Sequence, residues 1–546
     1  MRAHLPELLF AALLLAVLPM RDLWAPDEPD FAQCVKEMRL RGAWLLPYLN
    51  GVPYSEKPIL YYWVMKVSAG SLETLTGGLG FTQGVAAWAL RLPSVVASVA
   101  FLAAFRRWAL RFLPEGTAEP AALILAVSPL WFWQSQFIQI DLLFSALLAW
   151  SWLCWLGGYL LLRGEVVGRG PDEAHLWFLK AYAWLALAFL AKGPLAPVLS
   201  VLLLAAFLAW QRDLAVLRRM RLAVGTAIVL LPVAAWYLAA GLRGGPHYAY
   251  ELIVLQNLGR ATRAWDHIHP WWKYLEYLLG DFFPWSLLLP ALLLHLRREQ
   301  ALAGPTGRFL LLAFLVPLVF LSAVQSKQGK YLLMAYPFLA LQMGSLLRQA
   351  TPARVRRLGA LLSGLLGVLV LGLVTLALGG GGAKTQAEVA PFLDLLRVLA
   401  LGLGSGLVVV LVSTFRGQGP GLARGVALGL GLLYLVGGTW GFHLLDARKS
   451  YHRWTAAVQP LIRGRQVYYW QTLRSGVMVY TDHLMPELRS AEALERLDPE
   501  ARLVAQRDEW EVDTWGNSPE LRARFEVLLS VTTGSGDILL LRKRSG

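Results

Sequence analysis

Charge and cysteine are both scarce in this chain of 546 residues. Only 16% of the residues are charged, whereas an ordinary soluble domain has about 25%. Hydrophobic residues make up 56% of the chain, so it cannot cover its surface with polar groups in water. This composition argues against a soluble enzyme and against a disordered chain. The two cysteines, Cys34 and Cys154, are too few for a disulfide framework, and Cys154 lies in an apolar run, so we expect no pairing.

Apolar runs long enough to span a membrane are abundant instead. A spanning helix needs about 20 mostly apolar residues, and about thirteen runs approach that length. These runs cover residues 5–20, 85–105, 120–137, 138–162, 176–191, 195–210, 222–242, 282–296, 309–324, 331–347, 358–378, 395–415 and 426–444. The first run resembles a signal peptide in length, but it ends in Leu18-Pro19-Met20-Arg21 without a small-residue cleavage pattern. We therefore predict that it is an uncleaved span.

Arginine is concentrated in every second loop between these runs. The basic loops lie at 106–111, 163–169, 212–221, 297–308, 348–357 and 416–424. Basic loops stay in the cytoplasm, so this pattern predicts a cytoplasmic N-terminus and, with thirteen spans, an external C-terminus. The formal net charge of +15 is then largely an orientation signal. It gives no reason to expect a nucleic-acid partner.

Three stretches are too polar to lie in a membrane. Two are outer loops, at 21–84 and 243–281, within a predicted membrane domain that covers 1–445. The first of these loops suggests amphipathic helices on the membrane surface. The third stretch is the tail, 446–546, where short apolar runs at 467–470, 477–480, 503–505 and 538–541 alternate with helix-like segments at 491–497 and 519–525. That alternation predicts a small external α/β domain.

Ionisable and other polar side chains also gather at the outer ends of the spans and in the outer loops. They are Asp27, Glu28, Glu56, Lys57, Asp141, Lys192, Asn257, Arg260, Arg263, Asp266, His267, His269, Lys327 and Lys330, the last followed by Tyr331. Singly, each has a structural explanation: acids cap helices, lysines extend to the interface, and Asp141 could pair with a base. Together they place lysines and arginines on the outer side of the membrane, which is the opposite of what the positive-inside rule predicts.

This clustering on the outer side predicts a chemical role. Lysine and arginine near a membrane surface suit a phosphate group, and a nearby carboxylate suits a general base. The combination predicts chemistry on a phosphate-bearing lipid at the outer face. A proton-coupled transporter would instead place its ionisable residues near the bilayer midplane, and a transporter or flippase of lipid-linked sugars is the alternative hypothesis.

Several motifs resemble those of a membrane glycosyltransferase family. They are Asp27-Glu28-Pro29-Asp30-Phe31-Ala32, Lys36-Glu37-Met38, the stretch 47–58 with Tyr61-Tyr62-Trp63, Arg91-Leu92-Pro93-Ser94, Ala191-Lys192-Gly193-Pro194, and Lys327 to Tyr331 with Pro337. In order and content they resemble the aminoarabinose transferases that act on lipid A, with their relatives the protein O-mannosyltransferases. The resemblance covers roughly the first 350 residues.

The resemblance implies a C-type glycosyltransferase fold in the bacterial inner membrane. Such an enzyme takes a sugar from a polyprenyl-phosphate carrier, typically undecaprenyl phosphate. It transfers the sugar to a lipid A-like lipid, a protein or another glycan at the periplasmic face, usually with inversion. The tail would then be a periplasmic domain.

The resemblance also implies roles for individual residues. Asp27 matches the catalytic acid of the first loop, and Asp141 matches an acid near the third-to-fourth loop. The implied substrate and phosphate contacts are Glu28, Lys57, Lys192, Arg260, Lys327, Lys330 and Tyr331. Glu56 matches an acid that can bind a divalent metal, Zn, Mg or Mn. The lipid A enzymes carry a metal-binding His where this chain has Asn257, so His267 and His269 are the alternative ligands.

Overall fold

The computed structural model describes residues 4–166, 171–259, 267–298, 301–472, 474–512, 517–534 and 536–544. Contacts along the chain divide it into two compact units. The membrane unit comprises Met1–Val17, Ser55–Tyr61 and Ser94–Gly441. The loop–tail unit comprises Leu18–Tyr54, Tyr62–Pro93 and Phe442–Gly546.

Long apolar helices dominate the fold. Within the described residues, eight helices are long and apolar enough to cross a membrane. They are Ala87–Phe112, Ile140–Leu162, Asp172–Lys192, Leu222–Gln256, Pro305–Ala323, Pro352–Ala377, Lys384–Arg416 and Gly419–Asp446. The pair Lys273–Asp281 and Trp285–Arg298, bent by 113°, adds a ninth candidate. The shorter helical segments of the membrane unit are Leu5–Val17, Ala118–Ala126, Pro129–Ser135, Leu195–Gln211, Leu214–Arg219, Gly329–Ala335 and Tyr336–Gln349. The chain is a polytopic α-helical membrane protein, as predicted.

Each of the thirteen predicted runs coincides with helical structure, but five of them fall on short or broken helices. These are the runs at 5–20, 120–137, 195–210, 282–296 and 331–347. The run at 120–137, for example, is divided into Ala118–Ala126 and Pro129–Ser135. Ser128, between them, is extended with φ −63° and ψ 127°, because the ring of a following proline disfavours the helical region.

The helix Ile140–Leu162 lies at the centre of the membrane unit. Of its most apolar window, 89% is buried within the protein, whereas the corresponding fraction for Pro352–Ala377 is 17%. A helix that is apolar on all sides is buried in a large core or faces lipid, and these two helices illustrate the two cases. The central position of Ile140–Leu162 also fixes Asp141, its second residue, at one end of the core.

The first outer loop forms two helices joined by a hairpin. The helices are Asp27–Leu40 and Leu60–Thr76, and the hairpin pairs β1 (Tyr48–Leu49) with β2 (Val52–Pro53). Its two turn residues, Asn50 and Gly51, have φ values of 54° and 84°. Two positive φ angles are what the tightest hairpin turn requires, and Asn-Gly is the pair that adopts them most readily.

The tail contains a five-stranded mixed sheet with short helices. Its strands are β3 (Val467–Trp470), β4 (Glu487–Leu488), β5 (Arg502–Gln506), β6 (Phe525–Thr533) and β7 (Gly536–Lys543), and their spatial order is β4-β3-β5-β7-β6. The strand β3 pairs in parallel with β4 and β5, whereas β7 pairs antiparallel with β5 and β6. The helices are Phe442–Lys449, His452–Ile462, Ala491–Glu495, Arg507–Glu511 and Pro519–Ala523. The predicted small C-terminal α/β fold is confirmed.

One predicted strand of the tail, at 477–480, is wrong. This segment follows a short helical turn, Ser475–Val477, and pairs with no strand. The buried ammonium of Lys36 donates instead to the carbonyls of Met478 (3.2 Å), Val479 (3.1 Å) and Thr481. The hydrogen-bonding needs of these three carbonyls are therefore met by a single side chain of the first loop, that of Lys36.

The first loop and the tail share one unit because polar side chains join them. The Asp22 carboxylate accepts hydrogen bonds from the hydroxyls of Ser450 (2.5 Å) and Tyr480. Asn50 pairs with the backbone of Met485 through both its amide nitrogen (2.8 Å) and its oxygen (2.9 Å). The sequence-based division placed this loop with the spans, since bonds between positions more than 400 residues apart leave no local signal.

Candidate active site

In the membrane unit, a buried ion pair forms at the end of two spans. Asp141 starts the central helix and is 4% exposed. Its carboxylate pairs with Lys192, the last residue of Pro171–Lys192. The Lys192 ammonium also lies 4.2 Å from the centroid of the Tyr331 ring, within the range of a cation–π contact. Three of the predicted site residues are thus brought together.

Two further lysines lie close to this pair. The charges of Lys330 and Lys57 also act on the Asp141 carboxylate, and their effect is smaller than that of Lys192. Lys330 belongs to the helical turn Gly329–Ala335. Glu56 lies 3.9 Å from the Lys57 ammonium. We refer to Lys57, Asp141, Lys192, Lys330 and Tyr331 as the lysine cluster.

The charge balance of the lysine cluster favours an anionic ligand. The charges of three lysines act on Asp141, and Glu56 lies beside Lys57. These five side chains together carry a net charge of +1. A phosphodiester carries one negative charge, whereas a phosphate monoester carries about −1.5 to −2 at neutral pH. The charge of the cluster is therefore complementary to a phosphate group, and more strongly to a monoester than to a diester.

Lys327 was predicted to contact phosphate, but its side chain points elsewhere. The residue is 2% exposed, and its ammonium donates to the carbonyls of Val324 and Gln325. Both carbonyls follow directly after the helix Pro305–Ala323, where unpaired carbonyls attract a cation. Lys327 therefore caps a helix end in this structure, and its phosphate contact stays a prediction.

In the loop–tail unit, Asp27 begins the helix Asp27–Leu40 and is half-buried. The first turn of this helix carries three acids, Asp27, Glu28 and Asp30. Carboxylates are stabilised there by the unpaired N–H groups and the positive end of the helix dipole. The fold thus places the side chain of Asp27 at the N-terminal end of the loop helix.

Glu28, the neighbour of Asp27, is completely buried between two arginines. Its carboxylate accepts hydrogen bonds from Arg21 (2.5 and 3.0 Å), from Arg91 (2.8 and 2.7 Å) and from the backbone N–H of Trp24 (2.9 Å). Burial disfavours the charged form of Glu28, but the two guanidinium groups outweigh it and lower the pKa to about 2. Arg91 also donates to the carbonyls of Arg21 (2.7 Å) and Asp22 (2.5 Å).

This arrangement gives Glu28 a structural role. Its side chain is 0% exposed, and its predicted contact with substrate stays a prediction. Glu28, Arg21 and Arg91, which we call the arginine clamp, instead fix the backbone at the start of the Asp27 helix. The sequence motif Arg91-Leu92-Pro93-Ser94 pointed to Arg91 but gave it no role.

The second outer loop is only partly described. Arg260, like Arg263 and Asp266, lies outside the described residues, and of Asn257 only the backbone is described, in the helical segment Glu251–Gly259. His267 is exposed, and the backbone N–H of His269 donates to Gln325 (3.3 Å). Arg260 therefore stays a prediction.

The described residues do not fit a protein-held metal ion. Within the described ranges, no group of three or more His, Cys, Asp or Glu side chains is placed to hold one. Glu56 is accompanied by a lysine, 3.9 Å from its carboxylate, whereas metal ligands need a set of convergent oxygen or nitrogen donors. We derive no step through a metal.

No family model matches the chain. The chain is 33% identical over 353 residues to the undecaprenyl phosphate-alpha-4-amino-4-deoxy-L-arabinose arabinosyl transferase of Yersinia enterocolitica, an alignment that covers 63% of this chain and 58% of the relative. The chain thus spans about three fifths of the length of the curated relatives it matches. These matches confirm the resemblance seen in the sequence motifs.

Two solved structures resemble the chain over almost its whole length. The crystal structure of ArnT from Cupriavidus metallidurans in the apo state has a TM-score of 0.74 and 21% identity, and covers 99% of this chain and 98% of ArnT. The chain has a C-type glycosyltransferase fold. The structure of the same protein bound to undecaprenyl phosphate has a TM-score of 0.75 and 20% identity, and covers 98% of this chain and 97% of ArnT. The predicted C-type glycosyltransferase fold is therefore confirmed.

Proposed function

We propose that this chain is an integral-membrane glycosyltransferase that moves a sugar from a polyprenyl-phosphate carrier to a lipid, protein or glycan acceptor. The observation that carries the proposal is the lysine cluster, in which Lys192 pairs with the buried Asp141 carboxylate and the charges of two further lysines act on it. The names of the relatives support undecaprenyl phosphate as the carrier. They also support the transfer of a pentose, an arabinose, whereas a hexosyl transfer and a lipid A-like acceptor stay predictions.

The lysine cluster would act on the leaving group. When the bond between the anomeric carbon and the phosphate oxygen breaks, the electron pair stays on that oxygen. Lys57, Lys192 and Lys330 would stabilise the added charge, while Asp141 holds Lys192 in place through their ion pair. Preorganised charges in a partly dry site are usually the largest contribution to such a step.

Asp27 would act on the acceptor. As a general base it would take the proton from the acceptor hydroxyl as the oxygen attacks the anomeric carbon, or orient the acceptor if that is already a phosphate. A single displacement of this kind inverts the anomeric centre and needs no covalent intermediate.

The proposal includes a location and a domain division. The arginine-rich loops support a cytoplasmic N-terminus in the bacterial inner membrane, with the outer loops and the tail in the periplasm. The division into residues 1–445, a transmembrane glycosyltransferase domain, and 446–546, a periplasmic α/β domain, stays a prediction. A divalent Zn, Mg or Mn ion at Glu56, with Asn257, His267 or His269, also stays a prediction, and no step above depends on it.

A reconstitution experiment tests the proposal against the alternative of a flippase. The purified chain is placed in liposomes that carry a radiolabelled undecaprenyl-phosphate sugar in one leaflet and lipid A as acceptor. We expect label to move from the carrier to the acceptor, with release of undecaprenyl phosphate. A parallel reaction contains envelope glycans and proteins as further acceptors. If the intact labelled carrier moves between leaflets and no acceptor gains label, the chain is a flippase and the proposal is overturned.

A further inference from the structure

The helix Lys273–Asp281 presents one polar face to the turn that carries part of the lysine cluster. Tyr274, Tyr277 and Asp281 are spaced three and four residues apart, so they lie on the same side of the helix. Tyr274 is 0% exposed, whereas Leu275, which points away from this face, is 50% exposed. The face that turns inward therefore consists of two tyrosines and a carboxylate.

This face contacts the segment that leads into the turn Gly329–Ala335. The Tyr277 hydroxyl donates a hydrogen bond to the carbonyl of Lys327 (3.4 Å). The backbone N–H of Lys327 in turn donates to the carbonyl of His267 (2.9 Å), which lies just before the helix. The second outer loop and its helix therefore fix the start of the turn.

Asp281 contacts both ends of the same turn. At the start of the turn, its carboxylate lies directly against Gly329, where an added Cβ atom would collide with it. After the end of the turn, the carboxylate accepts a hydrogen bond from the hydroxyl of Tyr336 (3.4 Å), which is completely buried. One side chain thus bridges the two residues between which Lys330 and Tyr331 lie.

The glycine at position 329 is required by this carboxylate and not by the backbone. Gly329 is not among the glycines that have a positive φ, so its backbone conformation is open to other residues. Space is the limiting factor, because the three atoms nearest to an added Cβ all belong to the Asp281 side chain. Asp281 and Gly329 are therefore a matched contact.

The position of Asp281 is unfavourable for an acid. The residue is half-buried at the end of a helix in an apolar bent pair, and no lysine, arginine or histidine in the described part of the chain pairs with it. Burial of a carboxylate without a cation is costly, and the C-terminal end of a helix dipole disfavours a negative charge. Ionisable groups in such places mark functional sites by default.

We infer that Asp281 is a positioning residue of the donor site, which holds the turn Gly329–Ala335 so that Lys330 and Tyr331 stay within the lysine cluster. The inference rests on the proposed glycosyl transfer, in which Lys330 stabilises the leaving phosphate. A lysine side chain is flexible, so its contribution depends on a backbone that is held in one place. Because the Tyr331 ring lies 4.2 Å from the Lys192 ammonium, a displaced turn would disturb two of the three lysines.

Binding of undecaprenyl phosphate tests this inference without requiring turnover. The full-length chain in detergent is titrated with this lipid, and the bound lipid is quantified by native mass spectrometry. Asp281→Ala should bind about tenfold more weakly, as the loss of a contact to a charged group predicts. Loss of a negative charge near a phosphate would by itself strengthen binding, so weaker binding identifies a positioning role. Asp281→Asn keeps the size and an acceptor oxygen, and it should bind at least as tightly as the wild type.

Tyr336→Phe is the second variant, because it removes only the hydroxyl from which Asp281 accepts. It should weaken binding about threefold, and the double variant with Asp281→Ala should bind no more weakly than Asp281→Ala alone, since both changes remove the same contact. Glu276→Ala is the matched control. Glu276 is an exposed acid of the same helix that pairs with Lys273 (2.5 Å), so its loss should leave binding unchanged.

The affinity of the folded fraction separates positioning from a general loss of stability. A purely structural role of Asp281 would lower the thermal midpoint and the fraction of chains that bind, and would leave their affinity at the wild-type value. Equal affinity of Asp281→Ala and Glu276→Ala, or tighter binding by Asp281→Ala, would overturn the inference. If Asp281→Ala does not fold, wild-type affinity of Tyr336→Phe overturns it.

The same titration separates this inference from the proposed function. If the wild type binds no undecaprenyl phosphate, the lysine cluster is not a donor site and the inference falls with it. If binding changes as expected but no label leaves the carrier in the transfer assay, the proposed function fails and the positioning role of Asp281 stands.

Discussion

Replacement of Arg91 by Met should open the first loop of this protein. Arg91 is 0% exposed and makes four hydrogen bonds, two to Glu28 and one each to the carbonyls of Arg21 and Asp22. Met has a similar length and fills the space, but it leaves Glu28 with one arginine and removes one hydrogen bond from each of the two carbonyls. Breaking a buried ion pair by removal of one partner costs about 3–5 kcal/mol.

That cost is large compared with the stability of a domain, which is typically about 5–15 kcal/mol. For a unit of this size, 1 kcal/mol corresponds to about 2–4 °C in the midpoint of thermal unfolding. Arg91→Met should therefore lower the midpoint of the loop–tail unit by about 6–20 °C. The start of the Asp27 helix should open first, because the clamp holds that position.

The two cysteines of the chain provide a local assay. Cys34 is buried in the Asp27–Leu40 helix, and Cys154 is buried in the central span. In a Cys154→Ala background, the temperature at which Cys34 reacts with a thiol reagent reports the opening of the loop helix. Arg107→Met is the control, because Arg107 is an exposed residue of the same helix as Arg91. If Arg91→Met and Arg107→Met expose Cys34 at the same temperature, the clamp does not hold the loop.

The remaining predictions concern stability at acid pH, the KM for the sugar donor and the rate of transfer to the acceptor. The pKa of Glu28 is about 2 in the folded protein, whereas its ordinary value is 4.5. Ionised Glu28 therefore stabilises the folded state by about 3 kcal/mol, fully above pH 4.5 and progressively less as the pH falls toward 2. Glu28→Gln should remove this dependence of the thermal midpoint on acid pH. Lys57→Met should raise the KM for the donor about tenfold. Lys327→Met should lower the thermal midpoint and leave the KM for the donor unchanged. Equal KM values for the two variants would argue that the lysine cluster does not bind the donor. Asp27→Asn should reduce transfer by about 10²–10⁴-fold in a chain with a normal thermal midpoint, and near-normal transfer would remove Asp27 from the mechanism.

Hydropathy predicted the positions of the helices well but not their breaks. The run at 120–137 is apolar throughout, and its interruption before Pro129 depends on the backbone preference of one residue, Ser128. The run at 282–296 likewise begins in a short helical turn, Trp285–Leu288, after Pro284. An average over a long window counts apolar side chains and does not register a single proline.

The site residues divide according to how far their contacts reach along the chain. Asp141 and Lys192 stood out because charge is rare near spans, and they do form a pair. The structural role of Glu28 was not predicted, because its partner Arg91 lies 63 residues away and no local pattern reveals the contact. The helix-capping contacts of Lys327 were not predicted either, because a lysine that caps a helix and one that binds phosphate look alike in sequence.

The most direct test of the central claim is the fate of the carrier itself. The purified wild-type chain is mixed with undecaprenyl phosphate that bears a radiolabelled sugar and with envelope lipids, glycans and proteins from a deletion strain, and the labelled products are identified by mass spectrometry. The account predicts that label enters an acceptor whose mass rises by one sugar, and that undecaprenyl phosphate appears in equal amount. Label that stays on the carrier, with a folded chain and every acceptor class present, would contradict it.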